Sequence, residues 1–142
     1  IQYALNAKHL YGSIESLDFD VTDFKVGAMS LEHFIEYTKQ GTMVITPADR
    51  LDIIMGIGMT IFAGEFPKIA GILLTGPFKP SRNVTKLLNS LKKLPLAVLS
   101  TESDTFTAAK NVSNILPILK PENQRRIATA LGHFEANVNL TE

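Results

Sequence analysis

The chain of 142 residues is 45% hydrophobic and 20% charged, which is ordinary for a single soluble domain with its own apolar core. Its 14 basic residues balance 14 acidic residues, so neither a nucleic acid nor an anionic membrane is expected as a partner. Cysteine is absent, which excludes disulfides and thiolate catalysis and fits a cytoplasmic location.

Both ends of the chain suggest a fragment, because it begins with Ile1 and stops in the polar stretch 139–142. We interpret residues 1–24 as a linker or edge segment that enters the domain, and residues 25–142 as one domain. The longest apolar run, 53–63, is only about half the length that spans a bilayer, so it is interpreted as a buried helix. No signal peptide is predicted.

Strands and helices are expected to alternate along most of the chain. The strands are predicted at 25–29, 43–45, 69–74 and 95–99. The helices are predicted to begin at 31, 47, 80–81, 104 and 121. This alternation indicates βαβ units, and therefore an α/β fold: a three-layer α/β/α sandwich with a mostly parallel sheet.

The stretch 42–50 joins a buried strand directly to a helix. Thr46 is predicted as the N-cap, Pro47 as the first helical residue, and Asp49 lies three residues after the cap. A helix N-terminus at a sheet edge presents free N–H groups, and α/β domains usually bind ligands at such edges. We therefore expect this junction to be the centre of any binding site.

The helix that continues to about Ala63 has almost no polar face after its first turn. We expect the sheet, together with another layer or another subunit, to cover it. Gly56 and Gly58 each cost a helix roughly 1 kcal/mol relative to alanine. Close approach of another backbone is the expected compensation. In the later helices, the residues predicted to face inward are Val84, Leu87, Leu88 and Leu91, and those predicted to share one side are Phe106, Ala109, Val112 and Ser113.

Asp49, Arg50 and Asp52 form the most suggestive polar cluster. In one interpretation an anionic effector, such as a nucleotide, docks at the helix N-terminus, where Arg50 pairs with phosphate and Asp49 with a hydroxyl. In the favoured alternative, Asp49 caps the helix and Arg50 forms a structural salt bridge, since acids in a first turn are common for local reasons.

The turn Thr75-Gly76-Pro77 follows the strand at 69–74. A tight turn is the favoured interpretation, and a ligand-facing turn is the alternative, because glycine lets a ligand come close. Neither GxxxxGK[ST] nor a GxGxxG that opens a helix is present. The three histidines lack metal-ligand spacing, and no nucleophile elbow occurs, so we predict no metal site, no cofactor and no catalytic residue.

Several segments together resemble the DRTGG domain family, which is named after an Asp-Arg pair and a later Thr-Gly-Gly. They are Met29-Ser30, Val44 to Ile53, Lys68 to Gly76, and Leu96 to Leu99 with the helix at Thr105. Asp49, Arg50, Thr75 and Gly76 match the family motif, whereas Pro77 replaces its second glycine. The resemblance extends from about Ala28 to Val138.

The resemblance implies a role in regulation and assembly. The sequence after 121 is similar to the helix that follows this domain in long-form phosphate acetyltransferases, and the sheet is similar to the N-terminal domain of HPr kinase. We therefore expect a non-catalytic domain of such an enzyme, which contacts other domains of the same polypeptide, forms homo-oligomers and binds a small anionic effector. The alternative is a ligand-sensing module of a CBS-domain regulator. The residues expected to face an effector are Ser30, Asp49, Arg50, Asp52, Thr75 and Gly76.

Overall fold

In the computed structural model, five strands form one sheet in the order β1-β5-β4-β3-β2. The structure describes residues 1–79, 81–93, 95–115, 128, 131 and 132, so most of the helix predicted from 121 lies outside the described residues. The strands are β1 (Lys8–Tyr11), β2 (Asp23–Val26), β3 (Thr42–Pro47), β4 (Gly71–Thr75) and β5 (Ala97–Ser100). The helices are α1 (Leu31–Glu36), α2 (Leu51–Ala63), α3 (Arg82–Asn89) and α4 (Thr105–Ser113), with short 3-10 helices at Ile14–Asp18 and Ser90–Lys93.

Strands β2 to β5 run parallel, and β1 pairs antiparallel with β5 at one edge. Two apolar clusters are built from alternate residues of the strands, which point to opposite faces of the sheet. The first cluster joins the sheet to α1, α2 and α3, and the second joins it to α4. The predicted α/β/α sandwich with a mostly parallel sheet is therefore confirmed.

The predicted junction at 42–50 is wrong in its boundaries. Strand β3 continues through Pro47, which lies opposite Thr75 of β4, and α2 begins only at Leu51 with Arg50 at the N-cap position. Thr46 is thus a buried strand residue and Pro47 does not begin a helix. The reason is that pairing with β4 extends to the end of β3, where proline is tolerated.

The segment 1–24 contributes β1 at the edge of the sheet. The strand predicted at 25–29 lies instead at Asp23–Val26, where it pairs with β3. Ala7 is buried in the second apolar cluster, next to the start of β1.

Helix α2 buries one side and exposes another. Ile53, Ile54 and Ile57 are fully buried, but Met59 and Phe62 are 62% and 66% exposed. Among the residues that the structure describes, only part of the expected cover is therefore present. The close approach expected at the glycines occurs at Gly56, where the neighbour is the side chain of Leu31 from α1 and not a backbone.

Two side chains predicted to face inward are exposed. Leu87 of α3 is 53% exposed and Phe106 of α4 is 78% exposed. Leu88 and Val112, which belong to the predicted faces, are buried, and so is Ala108, so the buried face of each helix includes only part of the predicted one.

Candidate functional site

The carboxyl ends of the four parallel strands lie at one edge of the sheet, and the loops that follow them carry the predicted site residues. Ser30 follows β2, Asp49 and Arg50 follow β3, and Thr75 ends β4 with Gly76 directly after it. Since β2, β3 and β4 are neighbours, the fold brings residues from distant parts of the sequence to one edge. This edge is where open α/β sheets bind ligands.

Arg50 is the most extensively bonded side chain at this edge. Its Nε donates to Asp52 Oδ1 at 2.9 Å and its Nη2 donates to Asp52 Oδ2 at 2.8 Å. In addition, Nη1 donates to the Gly27 carbonyl at 3.2 Å, and Nη2 donates to the Met29 carbonyl at 3.1 Å. Of the five N–H groups of a guanidinium, four therefore have partners.

The ion pair shifts both pKa values in the direction expected for opposite charges. The hydrogen bond from Arg50 lowers the pKa of Asp52 below its ordinary value, and Asp52 raises the pKa of Arg50. This geometry matches the structural salt bridge that the sequence favoured. Through these hydrogen bonds, Arg50 links the loop after β2 to the first turn of α2.

Asp49 does not cap the helix. It lies in the loop before the N-cap residue Arg50 and its side chain is exposed, so the capping prediction is wrong. Ser30 occupies the N-cap position of α1, but its hydroxyl makes no capping bond and instead lies 2.9 Å from Nδ1 of His33.

Thr75 and Gly76, at the end of β4, make hydrogen bonds to the segment in which α4 begins. The Thr75 hydroxyl is buried and lies 2.7 Å from the Thr105 hydroxyl. The Gly76 N–H donates to the Ser103 carbonyl at 2.9 Å. The φ angle of Gly76 is 88°, a conformation that strains any residue with a Cβ, so the turn depends on glycine.

Asp104, which the sequence placed only near a helix start, caps α4. Its carboxylate accepts the Thr107 N–H at 2.9 Å and the Thr107 hydroxyl at 2.6 Å. These bonds lower the pKa of Asp104.

Two open cavities lie side by side at this edge, and Phe78 lines both of them. The larger, of about 270 Å³, is lined by Pro47, Thr75, Gly76, Pro77, Phe78, Glu102, Asp104 and Thr105. The smaller, of about 220 Å³, is lined by Ala48, Asp49, Leu51, Phe78, Lys79, Ser81 and Val84. Sequence reasoning missed Phe78, Lys79 and Glu102, although their positions just after β4 and β5 could have suggested them.

Other chemistry is limited in the part of the chain that the structure describes. No group of three or more His, Asp or Glu side chains there could hold a metal ion. Within the same ranges, no helix has the length and apolar character that crossing a bilayer requires.

Comparison with known proteins defines the class of this domain. The chain matches the DRTGG domain family over residues 1–115, and it therefore belongs to that family. The resemblance read from Asp49, Arg50, Thr75 and Gly76 is thereby confirmed.

Curated relatives are larger enzymes. The chain is 36% identical over 138 residues to phosphate acetyltransferase of Nitratidesulfovibrio vulgaris. The aligned region covers 97% of this chain and 20% of that enzyme. It is 32% identical over 136 residues to phosphate acetyltransferase of Synechocystis sp.. That aligned region covers 95% of this chain and 19% of the enzyme. The chain thus spans about a fifth of these relatives.

A solved structure shares the fold. It contains the CBS and DRTGG domains of the regulatory region of Clostridium perfringens pyrophosphatase in complex with the activator diadenosine tetraphosphate. The TM-score is 0.60 at 24% identity, and the match covers 82% of this chain and 45% of that chain. The similarity supports the α/β architecture described above.

Proposed function

We propose that this chain is a non-catalytic regulatory domain of a longer cytoplasmic phosphate acetyltransferase, which transfers acetyl between acetyl-CoA and phosphate. One observation carries the proposal: identity to such an enzyme extends over 97% of this chain but only 20% of the enzyme. The same identities favour an acetyltransferase over a CBS-domain regulator. We further propose that residues 1–24 are an edge segment through which the polypeptide enters the domain.

The contacts of the family motif are consistent with a non-catalytic role. Arg50 is held by Asp52 and two backbone carbonyls, and Thr75 is held by Thr105. Groups bound in this way hold the loops at the edge of the sheet in place. We propose that an anionic effector binds at the same edge of the sheet and changes the activity of the catalytic part.

The test uses the full-length protein and a version that lacks residues 1–142. Acetyl transfer is measured with and without a panel of nucleotides and other anionic metabolites. We expect both proteins to transfer acetyl and only the full-length protein to respond to an effector. Acetyl transfer by the 142-residue chain alone, or none by the full-length protein, would contradict the proposal.

We also propose that α2 contacts a second copy of this chain. Residues 53–64 include no charged side chain, and Met59 and Phe62 are exposed on the outer side of the helix. Exposed contiguous apolar surface is typical of interfaces. A second copy presents the same uncharged surface, so a two-fold contact would pair like with like.

A further inference from the structure

Phe78 is an exposed aromatic side chain that is held in a defined position. The ring is 53% exposed, yet a Cβ atom on Gly76 would lie only 3.0 Å from its Cδ2 and Cε2 atoms. The ring therefore packs directly against the backbone of residue 76. The glycine of the family motif thus has a second role besides the turn, because it makes room for this ring.

The two cavities beside Phe78 differ in chemistry. In the larger one, which we call the Glu102 cavity, Pro47 and Pro77 provide apolar walls, and Glu102 and Asp104 provide carboxylates. In the smaller one, the Lys79 cavity, Lys79 provides an ammonium group, Ser81 a hydroxyl and Asp49 a carboxylate. One side of the ring thus suits a neutral group with hydrogen-bond donors, and the other offers Lys79, the one cation among the described residues of the two cavities, to an anion.

Neither cavity alone reaches the roughly 300 Å³ at which small-molecule sites begin. A ligand that uses both must have a flat part that can stack on an aromatic ring, donors for a carboxylate, and a negatively charged part for an ammonium group. A nucleoside phosphate has all three parts in this order. An inorganic phosphate would use only the Lys79 cavity.

We propose that the Glu102 and Lys79 cavities form one binding site for a purine nucleoside phosphate. The base stacks on Phe78 in the Glu102 cavity, where Glu102 accepts hydrogen bonds from the ribose hydroxyls. The phosphate lies at Lys79 and Ser81. This inference rests on the effector-binding half of the proposed function, and it assigns that role to residues other than Arg50.

Calorimetric titration of the 142-residue chain with AMP, ATP, adenosine and inorganic phosphate tests the site. We expect Phe78→Leu to weaken binding of both nucleotides by roughly tenfold, as expected for loss of one base-stacking contact. We expect Lys79→Gln to weaken the nucleotides similarly and to leave adenosine unchanged. Thermal unfolding of each variant verifies that it is folded.

Two matched controls lie away from both cavities. Tyr37→Leu removes an aromatic ring of similar exposure, 54%, at the end of α1. Lys86→Gln removes an exposed positive charge from α3. Both controls should bind nucleotides like the unmodified chain.

The proposal is overturned if neither nucleotide binds, if inorganic phosphate binds as tightly as AMP, or if both site variants behave like the controls. These outcomes are separate from failure of the proposed function. A full-length enzyme whose response to ATP survives Phe78→Leu and Lys79→Gln retains its regulatory role and excludes this site. An enzyme that binds ATP at this site but shows no change in activity excludes the regulatory role instead.

Discussion

Leu31 of α1 fills the space in front of Gly56 of α2. A Cβ atom on residue 56 would overlap the terminal carbons of Leu31, so this glycine allows the two helices to pack closely. Gly56→Ala should gain roughly 1 kcal/mol of helix propensity but lose about 2 kcal/mol to overpacking, a net loss of about 1 kcal/mol. Urea denaturation measures the free energy of unfolding of each variant. In a Leu31→Ala background the same change should stabilise the chain, and a loss there would show that Leu31 is not the obstacle.

Arg50 should not be replaceable by lysine. A lysine side chain lacks the planar fork that binds Asp52 with two parallel hydrogen bonds and also reaches the carbonyls of Gly27 and Met29. We therefore expect Arg50→Lys to lower the free energy of unfolding by about 1 to 2 kcal/mol. The measurement is chemical denaturation, with Lys86→Arg as the control for a change between the same residue types. Full stability of Arg50→Lys would contradict the role assigned to the guanidinium.

The Thr75 hydroxyl should stabilise the chain through its hydrogen bond with the Thr105 hydroxyl. Thr75→Val leaves the Thr105 hydroxyl without the bond that now spans 2.7 Å, which should cost about 1 to 2 kcal/mol. In a double-mutant cycle, Thr75→Val with Thr105→Val should cost less than the sum of the two single changes. Additive losses would show that the two hydroxyls act independently.

Asp104 should make stability depend on pH in the acidic range. Its pKa in the folded chain is lowered from the ordinary value of 3.8, because its carboxylate accepts two hydrogen bonds from Thr107. A carboxyl with a lowered folded pKa stabilises the fold above its unfolded pKa, and the contribution is lost as the pH falls through the folded pKa. Asp104→Asn should therefore lower Tm at pH 7, and the difference should shrink as the pH falls below 3.8 and disappear below the lowered pKa of the folded chain.

Thermal melts of both proteins between pH 7 and pH 2 provide the comparison for Asp104. Thr107→Val serves as a second variant, because it removes the hydroxyl donor and leaves the carboxylate in place. A Tm difference that is the same at every pH would mean that the charge of Asp104 does not contribute.

Phe62 and Phe106 are both exposed phenylalanines on different helices. Phe62 lies on the uncharged outer side of α2, whereas Phe106 lies on α4. If α2 contacts a second copy, Phe62→Glu should place a charge in the interface and shift the chain to monomer. Phe106→Glu on α4 should leave the association unchanged. Sedimentation equilibrium over a range of protein concentrations measures this, and a chain that is monomeric at every concentration would rule out the interface.

The candidate site was only partly predictable from the sequence. The motif residues Asp49, Arg50, Thr75 and Gly76 were placed near the edge of the sheet, because the apolar runs before them indicate strands, although not the residues at which those strands end. The partners of Arg50 could not be read, since Gly27 and Met29 lie more than twenty residues earlier in the chain. Phe78 could have been suggested by its position just after β4, but its contact with Gly76 is set by the folded chain and not by any sequence motif.

The sequence by itself determined the alternation of the four parallel strands with helices, the α/β class and the family, because alternation of apolar and polar residues reflects burial along each local segment. Only the tertiary structure decided where the segments end. Pairing of Pro47 with Thr75 carries β3 past the expected helix start, and Arg50 rather than Thr46 precedes α2. Such boundaries depend on hydrogen bonds between distant parts of the chain, and local propensity does not encode them.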